Sequence, residues 1–235
     1  MIRYRKALSL LVIFFLAGCG SRSGSPSGDL KIVSGTTEIP DQLKNTTAYI
    51  LDHYDRVICS AVFISQRKLL TAAHCVDGVK NISVGFEKTI ATGKVTVSSR
   101  YDGILGDVAW IDLETPMVSA NPLEIAEPPL FDIDEMHILG YGSDSLWGLS
   151  GTLRYGIVYF DRAKSTDEYI YYHSPDQSSA CRGDSGGPLI VIRNPNPLLL
   201  GIGKGADVEN PGSLLCRSGT GRYTRIRGNS LNSLH

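Results

Sequence analysis

The sequence lacks a charge bias: 23 Lys and Arg stand against 24 Asp and Glu, for a formal net charge of −1. Such a balance offers no polybasic stretch to a nucleic acid or an anionic membrane surface. A His-Glu-x-x-His zinc signature is missing, and His53, His137, His173 and His235 have no ligand-like spacing to one another. No internal repeat is visible. The apolar run Ala7–Ala17 is too short to cross a bilayer comfortably. These absences point away from nucleic-acid partners, metal sites and membrane-spanning architecture, and no cofactor is called for.

What is present is turn chemistry. The chain has 25 Gly and 11 Pro spread among β-branched and aromatic residues, a composition that suits an all-β fold. Apolar runs between turn signals predict strands at Ala48–Leu51, Val57–Ile64, Leu69–Ala73, Asn81–Val84, Lys94–Val97 and Val108–Leu113. A proline-marked crossover follows, from Asn121-Pro122 to Pro128-Pro129. A second set is predicted at His137–Tyr141, Leu153–Phe160, Glu168–Tyr172, Pro188–Ile192, Leu198–Ile202 and Arg222–Ile226.

One stretch between these strands carries chemistry: Cys181-Arg182-Gly183-Asp184-Ser185-Gly186-Gly187-Pro188. Glycines around Ser185 allow turns that a Cβ would resist. The N–H groups of Gly183 and Ser185 form a candidate oxyanion hole. A serine nucleophile needs a base. Thr71-Ala72-Ala73-His74-Cys75 offers a histidine, and Gly106-Asp107-Val108-Ala109-Trp110 offers an acid at the head of an apolar run. The order His74, Asp107, Ser185 is one of the known chain orders of the acyl-transfer triad.

With Lys31-Ile32-Val33-Ser34-Gly35, these segments resemble the trypsin/chymotrypsin family of serine proteases over about residues 32 to 227. The resemblance implies two six-stranded antiparallel β-barrels, about 32–125 and 130–227, with the active site in the cleft between them. It implies a serine endopeptidase acting on proteins or peptides as a monomer. Non-catalytic binding on the same fold and ester hydrolysis by the same triad are the alternatives. Cleavage of Lys31–Ile32 by a separate protease would free the Ile32 amine to pair with Asp184. Ser179, six residues before the nucleophile, would floor the primary pocket, lined further by Ala180, Gly203, Gly205 and Gly221. Without an acid at 179, Arg and Lys are not favoured, and an open apolar pocket suits a large hydrophobic side chain. Lys204 could instead attract an acidic one. Ser60-Ala61 replaces a usual Gly-Gly pair.

The N-terminal 18 residues read as a signal peptide. Leu16-Ala17-Gly18-Cys19 resembles the lipobox of bacterial lipoproteins, which implies lipidation at Cys19, a flexible tether or propeptide over 19–31 and a place in the bacterial cell envelope. Setting Cys19 aside leaves Cys59, Cys75, Cys181 and Cys216, four cysteines with three possible connectivities. The family resemblance selects Cys59–Cys75 and Cys181–Cys216, and with them an oxidising compartment.

Overall fold

A computed structural model describes residues 35–127, 133–143, 150–175, 178–193, 195–206, 216 and 219–228. The first six strands are β1 (Thr47–Leu51), β2 (Val57–Phe63), β3 (Lys68–Thr71), β4 (Asn81–Phe86), β5 (Thr89–Val97) and β6 (Ala109–Leu113). They close into an antiparallel barrel in the order β1-β2-β3-β6-β5-β4. Next come β7 (Glu124–Ile125), β8 (Glu135–Gly140), β9 (Arg154–Phe160), β10 (Tyr169–His173), β11 (Pro188–Arg193), β12 (Asn196–Ala206) and β13 (Thr220–Arg225). Six of these form the second barrel, β11-β8-β9-β10-β13-β12, closed by the pairing of β11 with β12. The expected double barrel is the observed one.

The apolar runs are long because several strands are buried on both faces. Side chains alternate across a strand. On β2 and β3, Ala61, Phe63 and Leu69 point into the first barrel. Their neighbours Val62 and Leu70 join Trp110, Leu139, Ile190, Leu199 and Ile202 in a layer between the barrels. That layer fixes one barrel against the other, and so fixes residues donated from each. The second barrel has its own core around Met136, Ile138, Val158, Ile170, Tyr172, Leu189 and Tyr223.

Two local departures from expectation matter. Strand β3 stops at Thr71, and Ala73–Cys75 is a 3-10 turn, tied by the Cys75 N–H to the Ala72 carbonyl at 3.2 Å. The turn takes His74 off the strand and toward the cleft. Strand β7, inside the proline-marked crossover, pairs parallel with β12 at Leu198 and Leu199. Two residues are too few to leave a periodic signal in a sequence.

Candidate active site

His74 comes from the turn after β3 and Asp107 from the loop before β6, so the pairing of β3 with β6 brings them together. The Asp107 carboxylate grips His74 twice. Its Oδ1 accepts the His74 backbone N–H at 2.9 Å, and its Oδ2 lies 2.8 Å from Nδ1. Asp107 is 1% exposed, while the His74 side chain is 36% exposed at the cleft. Burial pushes the Asp107 carboxyl upward, but the bonds and charge of His74, with Lys204, outweigh it and hold the carboxyl below its ordinary value.

Ser185 stands on the loop before β11. Its carbonyl accepts the Ser60 N–H at 2.8 Å, the Gly186 N–H donates to the Gly203 carbonyl at 2.8 Å, and the Gly187 N–H donates to the Asp184 carbonyl at 3.0 Å. Gly183 and Gly186 hold φ values of +96° and +85°, which favour glycine. A Cβ on Gly186 would lie 2.2 Å from the Ser60 carbonyl. Ser185 Oγ and His74 Nε2 are not hydrogen-bonded to each other; such contacts often tighten only when substrate arrives. A Cβ at Gly205 would come within 3.9 Å of Ser185 Oγ, so β12 passes beside Ser185.

Asp184 is packed against the glycines of β8 and the following loop. A Cβ on Gly140 would sit 2.1 Å from its Oδ1. The carboxylate accepts the Gly142 N–H and the Cys181 N–H, each at 2.8 Å. Burial lifts its pKa to about 6, against the lowering effect of those two N–H groups and of the Arg154 charge.

The structure bonds Cys59 to Cys75 and Cys181 to Cys216, with Cα atoms 6.2 and 5.0 Å apart. The first bridge joins β2 to the histidine turn. The second joins the loop that carries Ser185 to Cys216. Cys19, Lys31 and Ile32 lie outside the described residues, as does the 207–215 segment.

The pocket residues are gathered, but around a phenol. The Tyr172 hydroxyl accepts the Ala180 N–H at 3.0 Å, and the Ser179 side chain is hydrogen-bonded to it. A Cβ on Gly221 would lie 2.6 Å from the Tyr172 ring. Ser179, Ala180 and Tyr172 are 0%, 6% and 1% exposed. Gly203 lies instead under the Ser185 loop, bonded to Gly186 and Gly187. Lys204 points away from this region, with its ammonium 3.1 Å from Asp107 Oδ2.

Three contributors were not foreseen. Tyr172 read as an ordinary strand aromatic. Ser60 read only as a departure from glycine, yet its hydroxyl accepts the Tyr141 N–H and donates to the Gly183 carbonyl, both at 2.9 Å. Lys204 read as a pocket wall. A signal for it existed, since it is a lone cation at the end of the apolar run Leu198–Gly205.

A family profile described as Trypsin matches residues 33–228. A brachyurin from Leptuca pugilator is 30% identical over 204 residues, covering 73% of this chain and 84% of that protein. A chymotrypsin from Phaedon cochleariae is 26% identical, covering 84% and 79%. Chymotrypsin-C of Rattus norvegicus is 25% identical, covering 73% and 76%. Among solved structures, human heparin binding protein superposes with a TM-score of 0.65 at 18% identity, over 82% of this chain and 90% of that one, a likeness of fold. These relatives correct one expectation. They are eukaryotic proteins, not bacterial envelope lipoproteins, so the bacterial localisation does not hold. The motif behind it was weak, because an apolar run ending in small residues is shared by ordinary secretory signals.

Proposed function

Because the chain belongs to the trypsin family, we propose that this protease-fold chain is a serine endopeptidase working through His74, Asp107 and Ser185. The observation that carries the reading is the pair of hydrogen bonds that a buried Asp107 accepts from His74, at a cleft where a glycine-framed Ser185 enters from the other barrel. His74 takes the Ser185 proton as Oγ attacks a peptide carbonyl carbon. The N–H groups of Gly183 and Ser185 hold the resulting oxyanion. The C–N bond then breaks, His74 protonates the leaving amine, and water releases the acyl group by the reverse proton path. Asp107 fixes the ring tautomer and stabilises the imidazolium.

Asp184 supports a zymogen reading. A buried carboxyl lifted by desolvation gains from an ammonium partner, and the Ile32 amine, freed by a protease that cuts after Lys31, would supply one. The occupied pocket supports a changed specificity. With the Tyr172 hydroxyl among Ser179, Ala180 and Gly221, little depth is left for the large apolar side chain expected from Ser179 alone. Small side chains suit it, and no acid at the floor recruits Arg or Lys.

Ser185→Ala should keep the fold and lose turnover by several orders of magnitude, since triad residues act as a unit. Once the chain is cleaved after Lys31, a fluorophosphonate probe should label Ser185 in the parent and not in the variant. Near-normal peptide hydrolysis by Ser185→Ala would refute the assignment, and ester cleavage without peptide cleavage would leave an esterase. A peptide-library profile of Tyr172→Ala should shift toward larger side chains at the cleaved position; an unchanged profile would reject the pocket reading.

A further inference from the structure

The Lys204 ammonium lies against the site in a part-buried position, its side chain 9% exposed. Its Nζ donates to Asp107 Oδ2 at 3.1 Å and to the Ile104 carbonyl at 2.5 Å. The same Oδ2 is 2.8 Å from His74 Nδ1. One carboxylate oxygen is therefore shared by the imidazole and a fixed cation. The geometry points to Lys204 as a positioning residue that clamps Asp107 and lets the triad work at lower pH than it would with an uncharged residue at 204. This rests on the triad reading above.

The physical reason is competition for one anion. Protonating His74 next to Asp107 gains from a single negative charge, and that charge is already partly matched by the ammonium. A second positive charge a few ångströms away opposes the imidazolium. The ammonium reaches the carboxylate from β12 of the second barrel, whereas His74 reaches it from the turn after β3 of the first. The clamp thus ties the acid of one barrel to a strand of the other.

The neighbours do not cancel this charge. From the loop before β6, Asp102 is close enough for Lys204 to contribute to its lowered pKa, after the stronger effect of the Leu105 and Ile104 N–H groups. Tyr101, on the same loop, has its pKa raised by burial and then by Asp107, Asp77 and Asp102. From β10, the Tyr169 ring lies 5.8 Å from Nζ, and Arg222 of β13 lies 5.4 Å from that ring. Glu168 is engaged by Arg100 and by the Gly106 N–H, both at 2.9 Å. Among the described residues, Asp107 is the carboxylate paired with Lys204.

The test is the rate of Ser185 labelling by a fluorophosphonate across the acid and neutral range, for the parent chain, Lys204→Met and Lys204→Arg, each first cleaved after Lys31. The acid limb of Lys204→Met should move upward by about one pH unit, within the range a nearby charge produces, with labelling retained at alkaline pH. Lys204→Arg should keep the parent limb. Should Lys204→Met not fold, Lys204→Gln, which keeps a donor without the charge, is read the same way. A limb that stays put in the uncharged variant overturns the proposal, whether its rates are normal or uniformly low. So does an arginine variant that shifts as far as methionine. No labelling of Ser185 at any pH in the parent chain cleaved after Lys31 overturns the triad reading itself.

Discussion

Two aspartates at the cleft are both nearly closed to solvent, 1% exposed for Asp107 and 4% for Asp184, yet their acidities move in opposite directions, and Asp184 is the more deeply packed of the two. Asp107 faces an imidazole, an ammonium and a backbone N–H. Asp184 bonds two backbone N–H groups, with the Arg154 charge acting on it as a weaker influence. Burial pushes both upward. Closely bonded partners that can carry charge outweigh it at Asp107, and neutral donors do not at Asp184. The first corner is built to keep a negative charge. The second is built for a charge that is costly until a cation joins it.

The largest expected effect tests the first corner. Asp107→Asn keeps the shape of the side chain and removes the charge, so turnover should fall about ten-thousandfold at neutral pH, the scale of such a change in a Ser-His-Asp triad. Steady-state hydrolysis by the purified variant reads it. A loss below tenfold would mean that Asp107 is not the orienting acid, and the contrast with Asp184 would lose its functional meaning.

The second corner is tested by stability. In the uncleaved chain the folded pKa of Asp184, about 6, lies above its ordinary 3.8. The folded state thus binds the proton more tightly, and the ionised group opposes folding at neutral pH by about 3 kcal/mol. That penalty fades as pH falls through the folded value and is gone below the ordinary one. Asp107 has the reverse sign. Its depressed pKa gives stability present above the ordinary value and lost as pH falls through the folded one. Asp184→Asn should therefore raise the urea midpoint of the uncleaved chain at neutral pH and leave it unchanged well below the ordinary carboxylate range. Cleavage after Lys31 should remove the gain, since an Ile32 ammonium would then favour the charged form. An equal gain before and after cleavage would break the zymogen reading.

The sequence showed this much of the molecule for a physical reason. The histidine turn, the acid before β6 and the glycine-framed serine are short local patterns, and most strands other than β7 contain an apolar run a few residues long. What escaped depends on contacts between distant segments. Ser60 reaches Gly183 across 123 positions, and Lys204 reaches Asp107 across 97. A lone cation at the end of the apolar run Leu198–Gly205 marks Lys204 as unusual, but nothing local says which carboxylate it leans on. Tyr172 was hidden likewise, because only the folded pairing of β10 with β13 sets its ring against Gly221.

The smallest expected effect concerns the neutral link between the barrels. Ser60 is fully buried, and its hydroxyl joins the Tyr141 N–H to the Gly183 carbonyl. Tyr141 precedes Gly142, whose N–H holds Asp184, so Ser60 supports the Asp184 corner without any charge. Ser60→Ala leaves a buried donor and a buried acceptor without this partner, at a cost of about 1–3 kcal/mol. In a chain of this length the melting midpoint should drop about 2–4 °C for each kcal/mol. Turnover should fall by less than the roughly hundredfold cost of losing an oxyanion donor outright, because Gly183 is loosened rather than removed. Because no ionising group takes part, both losses should be the same at every pH where the parent chain is folded. A stability loss that instead grows as pH rises through about 6 would show that Ser60 acts through the ionisation of Asp184, and the division into a charged corner and a neutral link would have to be redrawn.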